Sequence, residues 1–126
     1  MASASLYQLI AWQKAMDLVV SVYGTTATFP REEKFELTSQ LRNCAVSMPS
    51  NIAKNHGRLT LNEWKQFLDQ ARNSTLEMQT QLILSQHLGF GDPSAIEADL
   101  ARSEEIGRII NGLLSSPHQR HRRKPD

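Results

Sequence analysis

Four stretches with apolar residues three and four apart, each closed by a strong helix breaker, dominate this 126-residue chain. That spacing lines one side of an α-helix; a half-buried strand needs strict alternation, which is absent. In the first stretch Ala15, Val19, Val22 and Thr26 recur at steps of four, three and four, with Met16, Val20, Tyr23 and Ala27 beside them. Together they form a wide apolar face and predict a helix over about 6–28. Phe29-Pro30 ends it, because the residue before a proline is pushed out of the helical region. Pro30 followed by Arg31, Glu32 and Glu33 suits the opening of a second helix over about 32–55, where acids favour the positive end of the dipole. Its stripe is Leu37, Leu41, Ala45, Met48 and Ile52, flanked by Phe35, Val46 and Ala53. Pro49 falls inside this stretch and predicts a kink, since proline lacks an N–H and crowds the carbonyl four residues back. Asn55 and Gly57 suit the left-handed residue that stops a helix.

Thr60 with Glu63 three residues on has the spacing of a capping box and opens a third helix over about 61–88. Trp64, Phe67, Leu68, Ala71, Met78 and Leu82 form its stripe, widened by Leu76, Ile83 and Leu84. Gly89-Phe90-Gly91 breaks it. Asp92 as N-cap and Pro93 at the first helical position then open a fourth helix over about 93–115. Ile96, Leu100, Ile106, Ile109, Ile110, Leu113 and Leu114 carry its apolar face, and Gly107 and Gly112 allow close contact with a neighbouring helix. Four helices with short connections make an all-α, antiparallel up-down-up-down four-helix bundle over 1–116. Residues 117–126 are expected to be a disordered basic tail.

Composition narrows the class. With 40% hydrophobic and 21% charged residues the chain is neither disordered nor membrane-spanning, and no run approaches the ~18 apolar residues a spanning helix needs. Met1–Ser5 lacks the basic-then-apolar pattern of a secretory signal, and the single cysteine, Cys44, fits a reducing compartment; a cytoplasmic location is expected. The tail holds Arg120, Arg122, Arg123 and Lys124 against one acid, Asp126, so the basic pI of about 8.0 comes from the tail and the body is slightly acidic.

Catalytic and metal-binding patterns are missing. A bundle that houses metals carries Glu with His three residues later, but Glu77 is followed there by Thr80 and Glu63 by Gln66. Cys44, among Leu41, Ala45 and Met48, reads as a buried structural thiol. No glycine-rich phosphate loop is present, and no cofactor is expected. Two polar sets stand out. Asn51, Ser74 and Glu77 interrupt apolar faces and form either a register-fixing network or a ligand site. Arg42, Lys54, Arg58, Lys65 and Arg72 could gather on neighbouring helices into a basic band, or simply stand in water.

Resemblance to a known family adds to this reading. Phe29-Pro30, the segment Glu33 to Arg42, Ser47-Met48-Pro49-Ser50-Asn51-Ile52-Ala53 and Gly57-Arg58 resemble the four-helix-bundle proteins encoded in 23S ribosomal RNA intervening sequences. Trp12 to Ala15 and Phe67 to Glu77 resemble them as well, so the likeness covers about 6–115. Where that family usually has Glu-Gly after Asn-Ile-Ala, this chain has Lys54-Asn55. The resemblance implies a cytosolic homopentamer, a barrel of bundles around a channel. Some members resemble the accessory protein of diversity-generating retroelements, which works with RNA and a reverse transcriptase. The expectation is therefore a non-enzymatic oligomer that contacts RNA or a nucleoprotein, with no membrane role. Its phosphate contacts would come from Arg42, Lys54, Arg58, Lys65, Arg72 and the tail's Arg120, Arg122, Arg123 and Lys124. The alternatives are an oligomeric protein-interaction scaffold with no nucleic-acid role, and a small-ligand or enzymatic site around Asn51, Ser74 and Glu77.

Overall fold

A computed structural model describes residues 4–55 and 60–115. Helices α1 (Ala4–Thr26), α2 (Leu37–Asn55), α3 (Leu61–Leu88) and α4 (Pro93–Ser115) follow in order, with one 3-10 turn at Arg31–Glu33 between the first two. Each helix packs on its neighbours in sequence, and α1 closes the square against α4, so α1 and α3 lie on one diagonal and α2 and α4 on the other. This is the antiparallel four-helix bundle the apolar spacing predicts.

The core takes one stripe from each helix. Ala11, Ala15, Leu18 and Val22 of α1 meet Leu41, Ala45, Met48 and Ile52 of α2. Trp64, Leu68, Ala71, Met78 and Leu82 of α3 and Ile96, Ile106, Ile110 and Leu113 of α4 complete it. Burying each such side chain contributes roughly 1.5–3 kcal/mol before the entropy of ordering is subtracted. Only one of the two apolar rows in α1 is core: Met16, Val20 and Tyr23 are exposed, as are Phe35, Val46, Leu76, Ile83 and Leu84.

Helix ends follow local chemistry. At Thr60 the capping box is complete: its hydroxyl accepts from the Glu63 amide at 3.1 Å and the Glu63 carboxylate accepts from the Thr60 amide at 3.2 Å. Asp92 caps α4 by accepting from Ala95 N–H at 3.0 Å. Gly89 ends α3 in the left-handed region at φ 74°. Helix α2 begins at Leu37, five residues later than the sequence pattern suggests. Three-residue bonds run Glu33 to Pro30, Lys34 to Arg31 and Glu36 to Glu33, and the first four-residue bond is Gln40 to Glu36. This tighter turn leaves Phe35 85% exposed, away from the stripe it is expected to flank.

Helix α2 continues through Pro49 to Asn55. Asn55 does not stop it by a left-handed backbone, since among the described residues no non-glycine has positive φ. Its side chain ties α2 to two neighbours, donating to the Trp64 carbonyl of α3 at 2.6 Å while its oxygen accepts from the Gln8 amide of α1. Gly57 and the basic tail lie outside the described residues. Gly107 permits the close helix contact expected of it, because a Cβ there would stand 3.3 Å from the Thr75 hydroxyl. Gly112 is exposed and a Cβ would meet nothing.

A carboxylate lies at the α1–α4 seam. Asp99 is fully buried and accepts from the Ser21 hydroxyl at 2.5 Å, the Thr25 hydroxyl at 2.7 Å and the half-exposed Arg102 guanidinium at 3.2 Å. Replacing Asp99 by Ala removes the acceptor of the buried Thr25 hydroxyl, and a buried unpaired group costs about 1–3 kcal/mol. We expect Asp99→Ala to lower the urea midpoint accordingly and Asp99→Asn, which keeps an acceptor, to lose less. An unchanged midpoint in both variants contradicts this account.

Candidate functional site

The polar residues singled out by the sequence are only partly assembled. Ser47 joins two of them: its hydroxyl shares a 2.5 Å hydrogen bond with the Ser74 hydroxyl, and its carbonyl accepts from the Asn51 amide at 2.9 Å. Glu77 is exposed and stands close enough to Cys44 to act on it through charge. The cluster is a hydroxyl–amide seam that ties α2 to α3, with Glu77 on its outer side.

Cys44 belongs to the same seam. Its thiol donates to the Ser74 carbonyl at 3.0 Å. Burial pushes it up to about 12, the Glu77 carboxylate adds to the rise, and a backbone hydrogen bond from Met78 opposes them. A thiol that stays protonated is a poor nucleophile. The sign for stability follows, since the unfolded thiol ionises near 9.0 and the folded one near 12. The protonated thiol's contribution is complete below about pH 9 and is lost as pH rises towards 12. We expect native protein at pH 8 to react with a thiol reagent far more slowly than urea-unfolded protein. Cys44→Ala should lose less stability than the wild type between pH 9 and 11; equal losses contradict the shift.

The basic residues diverge. Arg42 lies against α1, donating from Nε to the Thr26 hydroxyl at 2.8 Å and from a terminal nitrogen to the Tyr23 carbonyl at 3.3 Å. Its guanidinium sits 4.5 Å from the Tyr23 ring centroid. Those contacts place a cation at the negative end of α1, where the helix dipole favours positive charge. Arg72 turns towards α4, pairing with Asp69 at 3.1 Å and reaching Asn111 at 3.5 Å. Lys54 and Lys65 are exposed. Arg58, Arg120, Arg122, Arg123 and Lys124 lie outside the described residues. Arg42 and Arg72 therefore do not share one face.

The outer side of α1 is apolar. In α1 the charged residues are Lys14 and Asp17, and Lys14 is paired with Glu105 at 3.3 Å. Leu6, Tyr7, Leu9, Met16, Val20 and Tyr23 are all exposed, Val20 by 74%. Between α1 and α2 this surface sinks into a groove of about 500 Å³ around Leu6, Leu9, Trp12 and Ala53. It continues for about 350 Å³ past Met16, Val19, Val46 and Pro49. Spacing alone places both apolar rows of α1 on one wide face, because a second apolar row looks the same whether it faces the bundle or a partner.

These features define an antiparallel helical bundle with an apolar outer wall. The chain belongs to the 23S rRNA-intervening sequence protein family, whose pattern matches residues 7–112. Its fold is similar to that of a protein of unknown function from the S23 ribosomal protein family of Bacteroides thetaiotaomicron. That similarity has a TM-score of 0.77 at 17% identity and covers 87% of this chain and 99% of the other. No curated protein matches the chain. Among the described residues, no helix is long and apolar enough to cross a membrane.

Proposed function

We propose that this protein is a non-enzymatic, cytoplasmic homo-oligomer that associates with RNA or with a nucleoprotein. The observation that carries the oligomeric part is α1 itself: two charged residues in 23, with large apolar side chains around its outside as well as its inside. A helix that is apolar all round is ordinarily a buried helix. Contiguous apolar surface of this kind seeks a partner. Five copies is the number that the family resemblance implies. Light scattering at micromolar concentration should then give a mass several times the 14.2 kDa of one chain. A monomer at that concentration overturns the oligomeric reading.

The nucleic-acid part rests on family membership and on the exposed cations Lys54 and Lys65 together with the basic segment Arg120 to Lys124. Such cations neutralise phosphates without reading sequence. We expect fluorescence anisotropy to show RNA binding that weakens steeply between about 50 and about 200 mM salt, the signature of counterion release. A chain ending at Ser116 separates the contributions: binding that survives truncation assigns it to the bundle, binding that vanishes assigns it to the tail. Absence of binding by either form supports a second reading, an oligomeric scaffold for another protein. The engagement of Arg42 and Arg72 within the bundle favours that second reading.

A further inference from the structure

Helix α3 carries a second apolar surface on the diagonally opposite side of the bundle from α1. From Asn73 to Leu88 its ionisable residues are Glu77 and His87, and Leu76, Ile83, Leu84 and Leu88 are about half exposed. At 100° per residue these four flank Thr80, which points directly away from the core stripe of Trp64, Leu68, Thr75 and Leu82. The first half of α3 is different: its exposed residues include Glu63, Lys65, Gln66 and Gln70. The apolar part is thus a convex ridge on a single helix, whereas the apolar surface of α1 and α2 is a groove.

Resting on the oligomeric reading above, we infer that the α3 ridge of one copy docks into the α1–α2 groove of the next, head to tail. Shape and chemistry both point this way. Groove against groove sets two hollows face to face and leaves the four α3 side chains in water on every copy. Ridge into groove covers both surfaces with one kind of contact. The chain's own residues 116–126 are a poor occupant, since they hold no apolar side chain larger than proline. A phosphate backbone is a poor one too, because among the described residues no cation lines the groove. An interfacial lipid helix has a polar face rich in Lys and Arg, and α1 has Lys14 alone. Contacts between unlike surfaces leave a free groove and a free ridge at the ends until a ring closes.

Mixing two variants tests the assignment. Met16→Asp with Val46→Asp spoils the groove and keeps the ridge; Leu76→Asp with Ile83→Asp spoils the ridge and keeps the groove. All four positions are exposed within one copy, and circular dichroism checks that both variants fold. Each alone should be monomeric by light scattering. Their equimolar mixture should give a species of twice the single-chain mass and nothing larger, because one intact groove meets one intact ridge. If the wild type assembles but the mixture stays monomeric, or if only the groove variant dissociates, the head-to-tail assignment is overturned while the oligomer stands. A monomeric wild type overturns both. Should either variant fail to fold, single cysteines in a Cys44→Ser background replace the test. Met16→Cys protein mixed with Leu84→Cys protein should give the hetero-linked dimer on oxidation; preferential Met16→Cys self-linking overturns the assignment.

Discussion

Apolar stripes hold four helices together but leave them free to slide, since a shift of one turn, about 5.4 Å, brings similar side chains back into contact. Register in this bundle depends on polar bonds that cross between helices at three levels. At one end Gln8 of α1, Asn55 of α2 and the Trp64 carbonyl of α3 form a chain of hydrogen bonds. Midway, the Ser103 hydroxyl of α4 donates to the Thr75 carbonyl of α3 at 3.1 Å. Towards the other end Asp99 of α4 gathers the hydroxyls of Ser21 and Thr25. Each bond is satisfied in one alignment, and a slipped helix would bury its groups without partners, which is costly in a low-dielectric core. The packing of Gly107 against Thr75 acts at the middle level, because only a helix in this register brings the two together.

Most of the fold was legible in the sequence because its determinants are local. Thr60 with Glu63, Asp92 with Pro93, and Gly89 mark helix ends through contacts spanning a few residues, and each does so here. The start of α2 was misplaced because Glu33 to Glu36 satisfies both helical spacing and a three-residue turn; the choice between them is made by which carbonyl each amide meets. Part of the polar register was also visible in principle. Asp99 and Ser103 fall in the same register as Ile96, Ile106 and Ile110, and Gln8 and Asn55 extend the stripes of their helices. A polar residue on an apolar stripe is readable as buried. Its partner, 74 or 78 residues away in the case of Asp99, is not.

The candidate sites were less legible for a related reason. Asn51 and Ser74 interrupt apolar faces, yet the residue joining them is Ser47, which lies on no stripe that would draw notice. Arg42 and Arg72 look alike in a list of cations but have different environments, one stacked over a tyrosine at a helix end and one paired with an acid beside α4. Charge counted along a sequence says how many cations exist; it does not say which are already engaged. The apolar outer wall shows the converse. Its residues are plain in the sequence, but Met16, Val20 and Tyr23 repeat at the same spacing as the true core, so only the position of the other helices separates wall from interior.

The order of packing around the square has a kinetic consequence. Three of its four sides join helices adjacent in the chain, while the fourth joins the first to the last. Contacts between sequence neighbours form early because they require little loop-closure entropy. On a ribosome α1, α2 and α3 emerge and pair while α4 is still being made, leaving one flank of α1 uncovered throughout that interval. That flank presents Ser21 and Thr25, hydroxyls that water can satisfy until Asp99 arrives. The polar part of the last seam to close is thus one that water can cover in the meantime.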